Sequence, residues 1–399
     1  MTMESVGEAL IIGAGVGGLT AANALYRTGW RVTVLERADA LRPIGAGISQ
    51  PPNAQHALDA IDLGDATLGD RVRAAGEPAG AIGARRPDGR WIYRPGGDPV
   101  GKRYGYPFYT LLRTDLLNVL AGELPEGTVR FEAEVRTVQP GDAGTRARVE
   151  TVDGAVYEAD LVVAADGGRS TVRSLLFPEH PGPEYGGYAV WWMLSPGIGD
   201  HLIASETLGK GAIWGSFGLR DGRVYAYATM VTEPGGSSED PIAPLRERFG
   251  DWHEEVRKVL AAVDPASVFR DDARWMRVPL PALHRGRVAV LGDAAHPMTP
   301  DLGQGGSQSI EDAVVLARLV AGGDGRGNGG VVSALAAYTE ARLARTSDIV
   351  KRSKKMAAFH HPRTALGRYV RDQSLKLTAS ERLVGLFLRQ YDPVFGWKP

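Results

Sequence analysis

The feature that most constrains this chain lies near its start. An apolar stretch, Glu8-Ala-Leu-Ile-Ile12, runs into a glycine turn, Gly13-Ala-Gly15-Val-Gly-Gly18, then a helical pattern to Tyr26 and a second apolar stretch, Arg31-Val-Thr-Val-Leu-Glu36. Strand, GxGxxG turn, helix, strand and a carboxylate 18 positions after the last motif glycine form the dinucleotide-binding βαβ pattern. Gly13 allows the tight turn, Gly15 lets the backbone approach a pyrophosphate, and Gly18 lets the helix pack closely on the strands. Free N–H groups at the helix start face phosphate, and Glu36 accepts hydrogen bonds from a ribose. The glycines alone do not carry this reading, because the chain has 52 of them. The flanking strand, helix and carboxylate separate it from a glycine-rich turn without a ligand.

A chain of 399 residues, 43% hydrophobic and 23% charged, has enough apolar material for two or three domains. Its net charge of −1, without long runs of one sign, argues against nucleic acid as a partner. The absence of cysteine excludes disulfides, thiol catalysis and thiolate metal sites; no metal is expected. The first residues lack a basic leader segment and no stretch reaches the ~18 apolar residues of a membrane helix, so a cytoplasmic protein is expected.

Beyond Glu36, residues 41–53 are rich in Gly and Pro, which argues against regular structure and for a loop that either touches a ligand or simply connects. A helix is expected over 54–61, and Pro87-Asp-Gly-Arg90 reads as a hairpin turn before Trp91-Ile-Tyr93, with the chain returning to its first domain near Tyr109. In Arg113-Thr-Asp-Leu-Leu-Asn-Val-Leu120, Thr114 is the candidate N-cap, which places Arg113 just ahead of a helix start. The positive end of the helix dipole disfavours a cation there unless it reaches an anionic or polar group, so Arg113 is a candidate cofactor contact. Strands are expected at 129–138 and 147–152. Next, Asp160-Leu-Val-Val-Ala-Ala-Asp166-Gly-Gly-Arg-Ser170 reads as a buried strand, a glycine turn and a capped helix start.

The texture changes over 178–279. Strands at 188–194, 201–208, 212–219 and 224–231, the last two closed by Asp221-Gly222, suggest an antiparallel sheet, followed by the loop Pro234-Gly-Gly-Ser-Ser238 and a helix over 242–263. Trp192, Trp214, Tyr225, Tyr227 and Met230 would give it a large aromatic face, suited to a flat apolar ligand or to packing under helices. The third informative stretch is Arg287-Val-Ala-Val-Leu-Gly292-Asp293-Ala-Ala-His296-Pro-Met-Thr-Pro300-Asp-Leu-Gly303-Gln-Gly305-Gly306-Ser307. A strand ends in Gly-Asp, a proline loop crosses, and a glycine run opens a long helix whose first N–H groups make a second anion or carbonyl-oxygen site. His296 reads as structural. Residues 322–330 read as a loop, and the remainder is expected to be helical, with a short amphipathic stretch over 380–390; it packs on the body or on a second copy, with membrane-surface contact the minor alternative.

Together, Gly13-Ala-Gly-Val-Gly-Gly18 with Glu36, Ala165-Asp-Gly-Gly-Arg-Ser170, and Gly292-Asp-Ala-Ala-His-Pro with Gly303-Gln-Gly-Gly306 closely resemble the three fingerprints of single-component FAD-dependent aromatic hydroxylases. These are the para-hydroxybenzoate hydroxylase-like proteins, in the branch that also holds urate and 3-hydroxybenzoate hydroxylases, zeaxanthin epoxidase and the tetracycline-inactivating monooxygenase. The resemblance covers about residues 8–350. It implies non-covalent FAD held by Gly13, Gly15, Gly18, Glu36, Arg37, Ser49, Arg113 and the backbone at Val135, with Asp293 on the ribityl chain or pyrophosphate. The N–H groups of Gly303, Gln304, Gly305, Gly306 and Ser307 would meet the flavin ring, and Asp166 with Gly167 would be shared with the nicotinamide cofactor or structural.

The implied chemistry is the flavin's: NAD(P)H reduces FAD, O2 forms a C4a-hydroperoxide, and OH passes to an electron-rich ring or alkene without a dedicated catalytic side chain. No second GxGxxG follows a strand, and Gly209-Lys-Gly-Ala-Ile-Trp-Gly215 has the wrong spacing, so no permanent nicotinamide domain is expected. Where close urate-hydroxylase-like relatives carry Trp-Arg, this chain has Trp191-Trp192, which argues against an anionic substrate. The expected fold is mixed α/β: a discontinuous Rossmann-like FAD domain (1–75, 105–177, 280–345), a β-sheet substrate domain (76–104, 178–279) and a C-terminal helical segment (346–399), as monomer or homodimer. The substrate pocket is expected between Trp192, Trp214, Tyr227 and Met230 and the Pro300 loop over the flavin. Rival readings are a flavin halogenase or a reductase of the same superfamily, and a flavoprotein that holds a ligand without turnover. The halogenase is disfavoured because Trp191-Trp192-Met-Leu-Ser-Pro lacks a Trp-X-Trp signature.

Overall fold

The computed structural model describes residues 6–41, 47–80, 82–94, 96–198, 202–236, 239–322, 330–377 and 381–399. Its first sheet has six strands in the order His284–Arg285, Val288–Val290, Leu161–Ala164, Glu8–Ile12, Arg31–Leu35, Val129–Arg130, all parallel except the first. The central strands read as near-continuous apolar runs because helices cover the sheet. Leu10, Ile11, Val162, Val163 and Val288 are all buried, packed in one core with Leu19 and Leu25 of the helix Val16–Arg27 and with Ile310, Ala313 and Leu316 of the helix Gly305–Gly322. These two helices touch closely: a Cβ added to Gly17 would lie 2.9 Å from that of Ser309.

The second large sheet has seven strands, in the order Phe269–Trp275, Glu184–Ser195, Val224–Met230, Ala212–Gly218, Ser205–Leu208, Gly83–Arg85, Trp91–Tyr93. Its pairs are antiparallel except Ser205–Leu208 with Gly83–Arg85, which run parallel. Strand alternation gives it two distinct faces. Trp191, Met193, Trp214, Ala226 and Ala228 face the helices Ala243–Phe249 and Glu254–Ala262, packing with Leu245, Phe249, Trp252 and Val256. Trp192, Leu194, Phe217, Tyr225 and Tyr227 face the other way, toward Leu112 and Ala79. A small sheet joins the halves: Phe108–Leu112 pairs with both Gly47–Gln50 and Glu77–Gly80.

Several expectations are corrected. The helix over 242–263 is two helices, because Gly250 ends the first and Trp252 turns into the core before Glu254 starts the second. The strand over 129–138 divides between two sheets: Glu132, at φ +57°, bends the chain so that its N–H meets the Ala38 carbonyl, and Val135–Gln139 then pairs with Ala147–Thr151. Residues 41–53 are not irregular throughout. Gly47–Gln50 is a strand and Pro52–Asp59 a helix, since proline is tolerated in a first helical turn; residues 42–46 lie outside the described residues. So do His201, Ser237, Ser238, 323–329 and Ser380, on which further expectations fell. Thr114 caps nothing: the helix Arg113–Gly122 has Leu112 at its N-cap, and Arg113 is its first residue.

The expected boundary at 345/346 falls inside one uninterrupted helix, Gly330–His360. Leu335 and Tyr338 belong to the first core, and Tyr338 Oη donates to the Val290 carbonyl at 3.2 Å. Ala357, near the far end of the same helix, packs on Tyr188 and Val190 of the second sheet.

Candidate active site

Three strand-to-glycine turns meet at the ends of the parallel strands. In the first, Gly13 has φ +102°, and a Cβ there would lie 2.5 Å from the Ala165 carbonyl oxygen; one on Gly18 would lie 1.9 Å from the Gly13 carbonyl oxygen. Around Gly15, by contrast, nothing lies within 4 Å of an added Cβ. Two glycines permit close packing and the middle one faces open space, as a backbone that must accept a pyrophosphate requires. Glu36 closes this turn: its Oε2 accepts the Ala14 N–H at 2.8 Å and its Oε1 the Ala38 N–H at 2.9 Å. Arg37 is exposed beside it. The bend at Glu132 brings the segment leading to Val135 against Glu36, through the Ala133 N–H to Glu36 carbonyl bond of 2.9 Å.

In the second turn Asp166 is committed to the fold: its carboxylate accepts the Ser170 hydroxyl at 2.5 Å and the Val172 N–H at 3.1 Å. Gly167, at φ +82°, has open space beside it. Arg173, buried and not singled out from sequence, ties this turn to the third by donating to the carbonyls of Gly168 at 2.8 Å and Ala294 at 3.0 Å.

In the third turn the Asp293 side chain is open to solvent and makes no hydrogen bond among the described residues. Its pKa is nevertheless raised by desolvation, with His296, Arg113 and Arg173 pulling the other way. Open to solvent yet hemmed in by the chain at Gly305, Asp293 lines a recess. Arg113 shares it: burial lowers its pKa, Asp293 opposes that, and the guanidinium has no hydrogen-bond partner among the described residues. An added Cβ on Gly305, first residue of the helix Gly305–Gly322, would lie 3.6 Å from Asp293 Oδ1, so the helix's free N–H groups open into the same recess. Gly303, at φ +61°, has nothing within 4 Å of an added Cβ. Ser49 Oγ and both side-chain amide atoms of Gln50 are buried without a partner.

Behind the recess lies a buried polar network that sequence reasoning missed. Asn53 Nδ2 donates to Gln304 Oε1 at 2.9 Å and to Glu311 Oε1 at 2.7 Å, and Arg342 bonds both Glu311 and Asp312 at 2.6 Å. Asp312 also accepts the Gly292 N–H at 2.9 Å and holds His296 Nε2 at 2.6 Å, so His296 is a packed, hydrogen-bonded residue. Gln304 is closed to solvent with its side chain in this network, and Ser307 is buried with its Oγ on the Gly303 carbonyl at 3.4 Å, while Gly305 and Gly306 between them stay partly exposed. The available signal was the pair Glu311-Asp312 in the middle of an apolar helix.

This donor set fits a dinucleotide: open glycine backbone, helix N-termini, a ribose-type carboxylate, a free arginine and an orphaned serine hydroxyl. The chain matches the FAD binding domain family over residues 7–353. It belongs to the family of FAD-dependent aromatic hydroxylases. This hydroxylase is 34% identical over 378 residues to the aurachin C monooxygenase/isomerase of Stigmatella aurantiaca, covering 94% of its own length and 95% of that protein. It is 36% identical over 365 residues to the 3-amino-4-hydroxybenzoate 2-monooxygenase of Streptomyces cremeus, covering 88% and 87% of the two chains. Its structure is similar to that of Klebsiella pneumoniae HpxO complexed with FAD and uric acid, with a TM-score of 0.86 at 28% identity over 97% of each chain.

The hydroxylase's aromatic residues do not share one face. Trp192 and Tyr227, cross-strand partners, are both partly exposed on the face that packs toward Leu112 and Ala79. Trp214 is 1% exposed under the helices, with its indole N–H on Ser216 Oγ at 2.9 Å, and Met230 packs on that side too. Strand alternation makes this necessary: Tyr227 and Met230 are an odd number of residues apart, and Trp214 pairs with Ala228, next to Tyr227. Phe217, overlooked from sequence, stacks on Tyr225 at 5.9 Å and on Tyr227 at 6.0 Å. The Pro300 loop is fixed from behind, with Thr299 Oγ1 3.1 Å from Ser353 Oγ on the long helix. Among the described residues no helix is long and apolar enough to cross a membrane.

Proposed function

We propose that this hydroxylase inserts oxygen from O2 into a flat aromatic or polycyclic small molecule bound between the Trp192–Tyr227 face and the Pro300 loop, with NAD(P)H as reductant. The observation that carries this reading is the division of the sheet. Its helix-covered face is closed by Trp214, Phe249 and Trp252, while Trp192 and Tyr227 stay partly exposed on the face that packs toward Leu112, the residue before Arg113. When bound, FAD supplies the redox and oxygen chemistry. The chain's own residues bind and orient: Glu36 and the Gly13–Gly18 turn hold the nucleotide half, Asp293 and Arg113 the polar middle, and the backbone from Gly303 to Ser307 the ring end. The aromatic face excludes water and fixes the ring to be attacked.

Relatives named for an aminohydroxybenzoate and for aurachin C support a small ring substrate. Trp191-Trp192 supports an apolar over an anionic one. The test is NAD(P)H oxidation by FAD-loaded protein across a panel of aromatic and polycyclic compounds, with product mass and peroxide measured. Ligand-stimulated consumption with a product heavier by one oxygen atom supports the reading. Tight binding without stimulated consumption would favour a ligand-holding flavoprotein instead.

A further inference from the structure

Tyr227 does not stand upright on the sheet. A Cβ added to Gly215, on the neighbouring strand, would lie 2.4 Å from the Tyr227 ring, so the ring leans across the space that this glycine leaves open. Its hydroxyl thereby reaches the strand beyond and donates to the Glu206 carboxylate. Glu206 is paired opposite Gly215 and is only partly exposed. A second tyrosine–carboxylate pair stands nearby, Tyr188 donating to Asp301 of the Pro300 loop, with His360 Nδ1 3.4 Å from Asp301 Oδ1. The charges of both Glu206 and Asp301 reach His360.

We infer that Glu206 gives the substrate face a negative pole, so that the site selects a neutral or cationic ring bearing an N–H, amino or hydroxyl donor and rejects a ring carboxylate. This rests on the substrate face proposed above. The positive groups around the pole are already engaged. His360 faces Asp301; Arg371 is spent on Asp372 at 2.9 Å and on the carbonyls of Leu208 and His360 at 3.1 Å each; Lys354 donates to the Gly186 carbonyl. Burial holds His361 neutral, with its pKa lowered to about 4. Tyr225, Tyr227 and Tyr391 complete the surroundings, and burial raises all three phenols, so they add no charge at neutral pH. Among the described residues these neighbouring cations are all engaged, so a carboxylate arriving here would meet the charge of Glu206, whereas a donor would gain a charge-assisted hydrogen bond.

The experiment uses two probes that share one bicycle, 4-hydroxyquinoline and quinoline-4-carboxylate, titrated at neutral pH into the FAD-loaded enzyme and read by the change in flavin absorbance. Wild type should bind the neutral probe about 10-fold or more tighter. Glu206→Gln should bring the two affinities within about threefold, and Tyr227→Phe, which keeps the carboxylate, should preserve the preference. Equal or tighter binding of the carboxylate by wild type overturns the inference without any variant, as does an unchanged ratio in flavin-loaded Glu206→Gln; either leaves the aromatic face standing. If neither probe perturbs the flavin of wild type, the aromatic face itself is wrong and the inference falls with it.

Discussion

Arg342 Nε lies 2.6 Å from Asp312 Oδ1, and the two side chains are closed to solvent. The same guanidinium bonds Glu311, which Arg345 also pairs at 2.8 Å, so Arg342 bridges two buried acids and is the arginine that meets Asp312. Burial alone would push Glu311 upward; Arg345 and Arg342 overcome it and hold that carboxyl below its usual range. Arg342→Met should therefore cost about 3–5 kcal/mol, the usual penalty for leaving buried charge unpaired. Urea unfolding of the apo-protein checks this. The loss of Asp312's anchor at Gly292 and Glu311's at Asn53 should also weaken FAD binding, read by flavin fluorescence.

Asp293→Ala should act on the cofactor rather than the fold. The carboxylate has no partner to lose among the described residues, yet it faces the recess shared by Arg113 and the start of Gly305–Gly322. Loss of a charge-assisted hydrogen bond to FAD is worth ~1.5–3 kcal/mol. The variant should purify largely colourless with a near-native circular dichroism spectrum; a fully yellow, fully active variant would sink the assignment.

Trp192→Ala and Trp214→Ala should separate cleanly. Trp214 is core, so truncation should cost about 3–5 kcal/mol while the folded fraction keeps its coupling. Trp192→Ala should leave FAD binding intact and release more hydrogen peroxide per NAD(P)H consumed in the presence of substrate. Unchanged coupling in Trp192→Ala would move the pocket elsewhere.

His361 gives the acid side of the stability curve a defined window. Burial is the main cause that lowers its pKa from 6.5 to about 4, with Asp301 opposing and His360, Arg371 and Lys354 adding to the fall. The folded state thus holds it neutral where the unfolded chain takes up a proton. Its contribution is intact above 6.5 and is lost as pH falls toward 4, with a slope of roughly 1.4 kcal/mol per pH unit at most. His361→Gln should flatten that limb; urea midpoints across this window measure it.

What sequence could reveal followed from how local each constraint is. The Gly13–Gly18 turn with Glu36 is legible because every part of it sits within one βαβ unit, and the turns at Asp166 and Gly292 are legible for the same reason. Arg173 was invisible because its partners, Gly168 and Ala294, lie in different turns and meet only in the fold. The single aromatic face failed because residue type does not say which side of a strand is covered. Trp192 and Trp214 belong to strands with Val224–Met230 between them, and neither register nor parity was in hand. The break at Gly250 and the bend at Glu132 were likewise decided by distant partners, Trp252's core and the Ala38 carbonyl.

The helix Gly330–His360 carries Arg342 near the cofactor turns and His360 beside Asp301, on a rod about 46 Å long. A chimera that grafts the seven-stranded sheet of a related hydroxylase onto this scaffold has no clean splice point along it. Its donor segment has to include the last turns of that rod, because the residues that greet the new sheet are delivered by the old domain's own helix. Libraries recombined at the sheet alone should yield flavin-loaded proteins with mismatched pockets, and those recombined at residues 323–329, which precede the rod, should retain both.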